Sequence, residues 1–224
     1  KMLILEGCVQ PGMLPNINNA TIRVFDALSI ELISSNKAGC CGALRYHLND
    51  QNGGLADAKR NIDAWWPAIE NGKDSVEAIV MNASGCGVMV KDYGHLLHDD
   101  PLYASKAKCV SELCKDLSEI MPQFQEQLVQ KIGRDKKAGV VYHPPCTLQH
   151  GQQIRGKVEG LLESLGIGVN LCADSHLCCG SAGTYSVLQP ILSEQLRQKK
   201  IQNLETACAS SGAKPVVSGN VGCI

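Results

Sequence analysis

Ala38-Gly39-Cys40-Cys41-Gly42 and His176-Leu177-Cys178-Cys179-Gly180 decide how this chain is read. Each run sets two adjacent cysteines before a glycine, and each follows another cysteine, Cys8 or Cys146, by 32 positions. A further cysteine closes each set. Cys86 lies 45 positions after Cys41, and Cys223 lies 44 after Cys179. The intervening stretches also correspond with one residue of slip, Val24–Ile30 lining up with Leu161–Ile167. The chain is therefore an internal repeat, and the cysteines are its fixed points.

Both halves carry the same order of elements. Short apolar runs, Met2–Leu5 and Val140–Tyr142, lead into the first cysteine of each half and read as buried strands. Helical spacing follows in Ile17, Ala20, Val24 and Leu28, and in Ile154, Val158, Leu161, Leu162 and Leu165. A second short strand is expected near Ile30–Ile33 and near Val169–Leu171, just ahead of each Cys-Cys-Gly. A second helix carries Leu55, Ala58, Ile62, Trp65 and Ile69, and its counterpart runs from about Leu188 to Cys208. A last strand, Val76–Met81 or Pro215–Ser218, comes shortly before Cys86 or Cys223.

Strand–helix alternation of this kind predicts an α/β fold. It comprises two pseudo-symmetric tandem domains, each a small parallel sheet with flanking helices and right-handed crossovers. The expected boundaries are 1–100 for the first domain, 101–137 for a helical connector and 138–224 for the second. The second domain reads as cut short at its C-terminus, and the chain as a possible fragment. Val88–Leu97 reads as one short helix. Within the connector, Val110, Leu113, Leu117 and Ile120 mark one helix face, which Pro122 should break or kink. Ligands of parallel sheets sit outside the carboxyl ends of the strands, where all these cysteines fall.

Each half then offers four thiols: Cys8, Cys40, Cys41 and Cys86, and Cys146, Cys178, Cys179 and Cys223. Four thiolates suit an iron–sulfur cluster or a tetrahedral zinc ion. Neighbouring side chains of an extended strand point to opposite faces, so both members of a Cys-Cys pair reach one site only if the backbone kinks. Gly42 and Gly180 permit that kink. Vicinal cysteines on a kinked loop fit a bulky group of several metal atoms better than one compact ion. Buried free cysteine is common in cores, but core packing rarely produces two pairs at one repeat distance. Cys109, Cys114, Cys172 and Cys208 have no partner in the repeat and read as packing or surface residues. His143, His150 and His176 flank the second set and are candidate ligands or hydrogen-bond donors to sulfur. His47 follows Cys41.

The bulk properties exclude other classes. Of 224 residues, 44% are hydrophobic and 19% charged, a globular composition. A formal net charge of -1 gives no basis for binding nucleic acid. No apolar run spans a bilayer, no signal peptide is evident, and twelve cysteines in such a chain point to metal or redox duty rather than disulfides. No glycine-rich nucleotide loop is present, so no flavin or nucleotide site is expected here.

These residues resemble the cysteine-rich CCG domain family, whose pattern is a cysteine, Cys-Cys-Gly and a closing Cys-x-x-Cys, repeated here over nearly the whole chain. A narrower resemblance, to the iron–sulfur subunits of glycolate oxidases, rests on Gly7-Cys8-Val9-Gln10-Pro11, on Tyr142-His143-Pro144-Pro145-Cys146-Thr147-Leu148-Gln149-His150-Gly151 and on His176–Tyr185. The resemblance implies a 4Fe-4S or other iron–sulfur cluster as cofactor, with zinc an alternative at one site. It also implies an electron-transfer role between a flavoprotein subunit and a quinone or other acceptor, in the cytoplasm or peripheral on the inner membrane. The eight repeated cysteines would be the metal ligands, and glycolate itself would not touch this chain. Thiol or heterodisulfide reduction, a lactate-oxidising system, and a zinc-holding or metal-free docking subunit are the rival functions. Where the family closes with Cys-x-x-Cys, this chain has Ala83 and Asn220 at the first of those positions. That departure counts against a five-cysteine, non-cubane cluster. The N-terminal ferredoxin-like region of the glycolate oxidase subunits is not found in this chain, which agrees with the expectation of a fragment.

Overall fold

A computed structural model describes residues 1–72, 75–133, 137–181, 183–213 and 215–224. The chain divides into two compact units, Lys1–Leu117 and Ser118–Ile224. The first holds strands β1 (Met2–Ile4), β2 (Leu32–Ser34), β3 (Ile79–Met81) and β4 (Cys114–Asp116). They form one sheet in the order β2-β1-β3-β4, every pairing parallel. Its main helices are α1 (Pro15–Ala27), α2 (Ala43–His47), α3 (Gln51–Ile69), α4 (Ser84–Leu96) and α5 (Ala104–Leu113). The second unit holds α6 (Gln125–Ile132), β5 (Lys137–His143), α7 (Lys157–Ser164), β6 (Ile167–Leu171), α8 (Pro190–Ser211) and β7 (Val216–Ser218). Its sheet runs β6-β5-β7, again wholly parallel.

The local chemistry explains these elements. β1 and β3 are buried along their whole length, as uninterrupted apolar strands under helices must be. Pro15 opens α1, where its missing N–H costs nothing. Asp50 caps α3 by accepting from the Gly53 N–H at 3.0 Å. Gly212, at φ +69°, ends α8 in the left-handed conformation. Two expectations need correction. The helical pattern running through Val110 and Leu117 stops at Leu113, because Cys114–Asp116 leave the helix to pair with β3. Cys114 and Asp116 are both buried there, so tertiary pairing overrides local helical periodicity. Pro122 lies in a 3-10 turn, Met121–Phe124. Ile154 precedes α7 rather than belonging to it, since that helix starts after Gly156 at φ +72°.

The cores differ in size. In the first unit Ile62, Trp65, Ile79, Val90, Tyr93, Ala107 and Val110 are fully buried in one cluster. Each large side chain of this set contributes about 1.5–3 kcal/mol by burial. In the second unit Val141, Cys172, Ala207 and Ala213 cluster with Leu204 and Cys208 against them. Beside them a cavity of about 750 Å³ runs between α8 and β7, lined by Ile201, Val216, Cys179 and Cys223 among others. No helix among the described residues is long and apolar enough to cross a membrane.

Candidate functional site

Each Cys-Cys-Gly loop turns on its glycine. Gly42 has φ +88° and Gly180 has φ +90°, a region open to glycine and costly for other residues. A Cβ on Gly42 would stand 2.6 Å from the Gly54 carbonyl oxygen, and one on Gly180 would stand 2.4 Å from that of Ser193. Both glycines therefore fold the loop tightly onto a helix further along the chain, α3 or α8. Folded this way, the Gly42 N–H donates to Cys40 Sγ at 3.4 Å and the Gly180 N–H to Cys178 Sγ at 3.3 Å. The kink read from the sequence thus does two things: it swings adjacent thiols toward one place and aims a backbone donor at sulfur.

The remaining cysteines arrive from other strand ends. Cys8 follows β1 just ahead of a helical turn, Gln10–Met13, and Cys146 stands in the same relation to β5 and the turn Thr147–Gly151. Cys86 sits in the first turn of α4, after β3, and Cys223 sits in the turn Val221–Cys223, after β7. In the first unit Cys8 lies against Cys40, Cys40 against Cys41, and Cys41 against Cys86. In the second, Cys146 lies against Cys178, Cys178 against Cys179, and Cys179 donates to Cys223 across 3.4 Å between the sulfurs. Each foursome thus forms a row of neighbouring thiols, and all twelve cysteines are free thiols.

Such crowding makes the thiols share protons. Burial, then the neighbouring Cys40, pushes Cys8 up. The bond to Cys41, then burial, pushes Cys40 far up. Cys40 pulls Cys41 down, but the bond to Cys86 and burial outweigh it and push Cys41 up to about 12. In the second unit Cys146 and Cys179 are pushed up, each first by its bond to Cys178. Cys178 is drawn down to about 2, first by Cys146 and then by Cys179. Cys223 falls to about 5, first through the Cys179 thiol, with His143 and Asn220 assisting against burial. A cation entering either set displaces protons from sulfur.

The walls behind the loops differ. Asn61 Nδ2 and Arg60 Nη2 donate to the Cys40 carbonyl at 2.9 and 3.0 Å, and Tyr93 Oη donates to the Cys41 carbonyl at 2.8 Å. Asn61 also accepts from the Gly39 N–H. The sequence carries no sign of these anchors, which stand in it as ordinary residues of α3 and α4. The histidines flagged by the sequence separate cleanly. His47 is exposed at the end of α2. The His150 and His176 side chains are exposed, and the His150 ring meets the His176 carbonyl at 3.0 Å. His143 is 2% exposed and lies with Cys179 and Cys223, the three donor atoms within 4.8 Å of one another. Cys114 and Cys172 are buried in the two cores, and Cys109 and Cys208 are half-buried. Ala83 is buried immediately before α4, and Asn220 Nδ2 reaches Cys223 Sγ at 3.7 Å.

Two wholly parallel units, each gathering four thiols around a glycine-kinked Cys-Cys pair, define a class. A model of the cysteine-rich (CCG) domain matches residues 2–91 and again residues 140–224, and the chain belongs to that family. Along its whole length it is 50% identical to the glycolate oxidase iron-sulfur subunit of Escherichia coli strain K12, of which it covers 52%. It is 28% identical to the probable glycolate oxidase iron-sulfur subunit of Bacillus subtilis strain 168, covering 48% of it. It is also 25% identical to lactate utilization protein A of Bacillus pumilus, covering 89%. The chain spans about half the length of the two glycolate oxidase subunits it matches.

The donor sets fit an iron–sulfur group. Free thiols stand in a row of neighbouring contacts at the strand ends of each unit, and a backbone N–H already points at one sulfur of each set.

Proposed function

We propose that this chain is the cysteine-rich part of an iron–sulfur electron-transfer subunit in a glycolate-oxidising complex. Cys8, Cys40, Cys41 and Cys86 would hold one centre, and Cys146, Cys178, Cys179 and Cys223 another. The observation that carries this reading is the convergence of four thiols at the carboxyl ends of the strands, made twice with the same glycine kink. A 4Fe-4S group bound there would take up and release single electrons. The chain's own residues would set how readily. The Gly42 and Gly180 N–H groups and the Asn220 amide donate to sulfur, stabilise negative charge there, and so favour the reduced state. Loop rigidity from Asn61 and Tyr93 would hold the first set of donors in place.

In this reading a flavoprotein subunit oxidises glycolate to glyoxylate, and the electrons pass through this subunit to a quinone or other acceptor, in the cytoplasm or at the inner-membrane surface. The boundaries 1–100 and 138–224 for two CCG domains around a connector belong to the same proposal. Relatives named for lactate utilization favour a lactate-oxidising system as the second reading. The hydroxy acid that reduces a dye in the reconstituted complex tells the two apart.

The direct test is anaerobic purification followed by iron and acid-labile sulfide analysis. Cys41→Ser and Cys179→Ser should each remove one unit's share of the iron and leave the other's. Iron unchanged in both variants overturns the ligand assignment. Zinc in place of iron would make the site structural rather than electron-carrying.

A further inference from the structure

We propose that His143 is a metal ligand, so that the second unit is a mixed thiolate–imidazole site while the first is held by thiolates alone. The inference rests on the metal-binding reading of the cysteines above and goes beyond it by making the two centres chemically unlike.

His143 is the last residue of β5, the central strand of its sheet, in register with Ser218 of β7. Its main chain is fixed, since Ser218 Oγ donates to the His143 carbonyl at 2.9 Å. The ring is 2% exposed. Neither ring nitrogen makes a hydrogen bond of normal geometry among the described residues, although the ring lies against the Cys223 thiol. Burying a polar group unpaired costs about 1–3 kcal/mol, and native folds tolerate it where an ion or other partner completes the site.

The surroundings point to a cation. The nearest donors are Cys179 and Cys223, whose sulfurs stand 3.4 Å apart, and one nitrogen and two sulfurs fall within 4.8 Å of one another. Sulfurs at about 2.3 Å and an imidazole nitrogen at about 2.0–2.1 Å from one tetrahedral ion stand roughly 3.5–3.8 Å apart. The trio's present separations, 3.4 Å between the sulfurs and at most 4.8 Å to the nitrogen, lie close to that spacing. The other ring nitrogen can be met by water from the cavity that His143 lines. On binding, the thiols release protons to solvent and the imidazole binds in its neutral form; no electron is transferred.

The repeat shows that the fold does not require a histidine here. The equivalent position of the first unit is Leu5, which likewise stands three residues before the first cysteine and follows the central strand. Leu5 is 3% exposed and packs in the apolar core. One sheet thus places a hydrocarbon at this slot and the other places a donor aimed at two thiols. A neutral imidazole leaves its centre less negative than thiolates do, so the second centre should be the easier to reduce.

The test uses the full chain, purified without oxygen and labelled with ¹⁵N-histidine. Pulsed electron paramagnetic resonance of the reduced protein should show one strongly coupled imidazole nitrogen, on one of two centres. His143→Gln, which keeps a polar side chain in the slot, should abolish that coupling and shift the midpoint of one centre while sparing the other. Should the metal be zinc, X-ray absorption should show a mixed sulfur and nitrogen shell that becomes nitrogen-poor in His143→Gln. Iron at both centres with no strongly coupled nitrogen in the wild-type chain, or zinc with an all-sulfur shell, overturns the role of His143 alone. A chain whose second unit binds no metal overturns the site and this inference together. The wild-type spectrum decides the matter even if the variant fails to fold.

Discussion

Behind Cys40-Cys41-Gly42 stands a wall of hydrogen bonds from Arg60, Asn61 and Tyr93, backed by a core built on Trp65 and Ile62. Behind Cys178-Cys179-Gly180 stand Ser193, whose hydroxyl donates to the Gly180 carbonyl, a small core, and a cavity that reaches Cys179, Cys223 and His143. The loops share their kink and their sulfur-directed N–H, yet one is braced from within the protein and the other borders open space. Duplication has kept the geometry that gathers thiols and let the supporting residues diverge. What the two units share is therefore the best guide to metal holding, and what they do not share is the best guide to how the centres differ.

Three experiments sharpen that contrast, beginning with the largest effect. Gly42→Ala and Gly180→Ala each force a Cβ onto a backbone oxygen at positive φ. Each should cost its own unit about 2–4 kcal/mol and its bound metal. Calorimetry with metal analysis reads both, and equal metal loss from the two units in either variant would break the idea of independent sites. Next comes pH. Cys8, Cys40 and Cys41 are pushed up and hold protons at neutral pH; in the second unit Cys146 and Cys179 are pushed up too, but Cys178 and Cys223 are drawn down and are already anionic. Cobalt uptake by the first unit should therefore rise more steeply between pH 6 and 8, by about tenfold more per pH unit for each additional proton displaced. Competition titrations on chains with one set of cysteines replaced by serine would measure the two slopes, and a steeper second unit would contradict the assignment. The smallest effect is Tyr93→Phe, which leaves the Cys41 carbonyl without its hydroxyl donor. It should destabilise the first unit by about 1–3 kcal/mol and leave the second unit's melting unchanged.

Much of this was legible in the sequence, for identifiable reasons. The strands are short apolar runs, the repeat is exact at the first two cysteine positions, and a glycine after two cysteines has one plausible use. β4 was hidden because Cys114-Lys115-Asp116 lacks β-branched residues and continues a helical pattern; only its pairing to β3 makes it a strand. Asn61 and Arg60 were hidden because a helix residue turned toward a distant carbonyl looks like any solvated face. His143 was visible but not separable from His150 and His176 by proximity to cysteine. The signal that would have singled it out is the repeat itself, which sets His143 on Leu5 and so puts an ionisable ring in a buried apolar slot.

Cys8 is the exposed member of the first foursome and lies against Cys40. Exposure sets that sulfur in the path of a diffusing oxidant once pH rises far enough to free its thiolate, and a sulfenic acid formed there has a thiol at hand with which to condense. Damage by air would then start at the outer lip of the first unit and close it as a cross-link, while the recessed thiols of the same unit stay reduced longest.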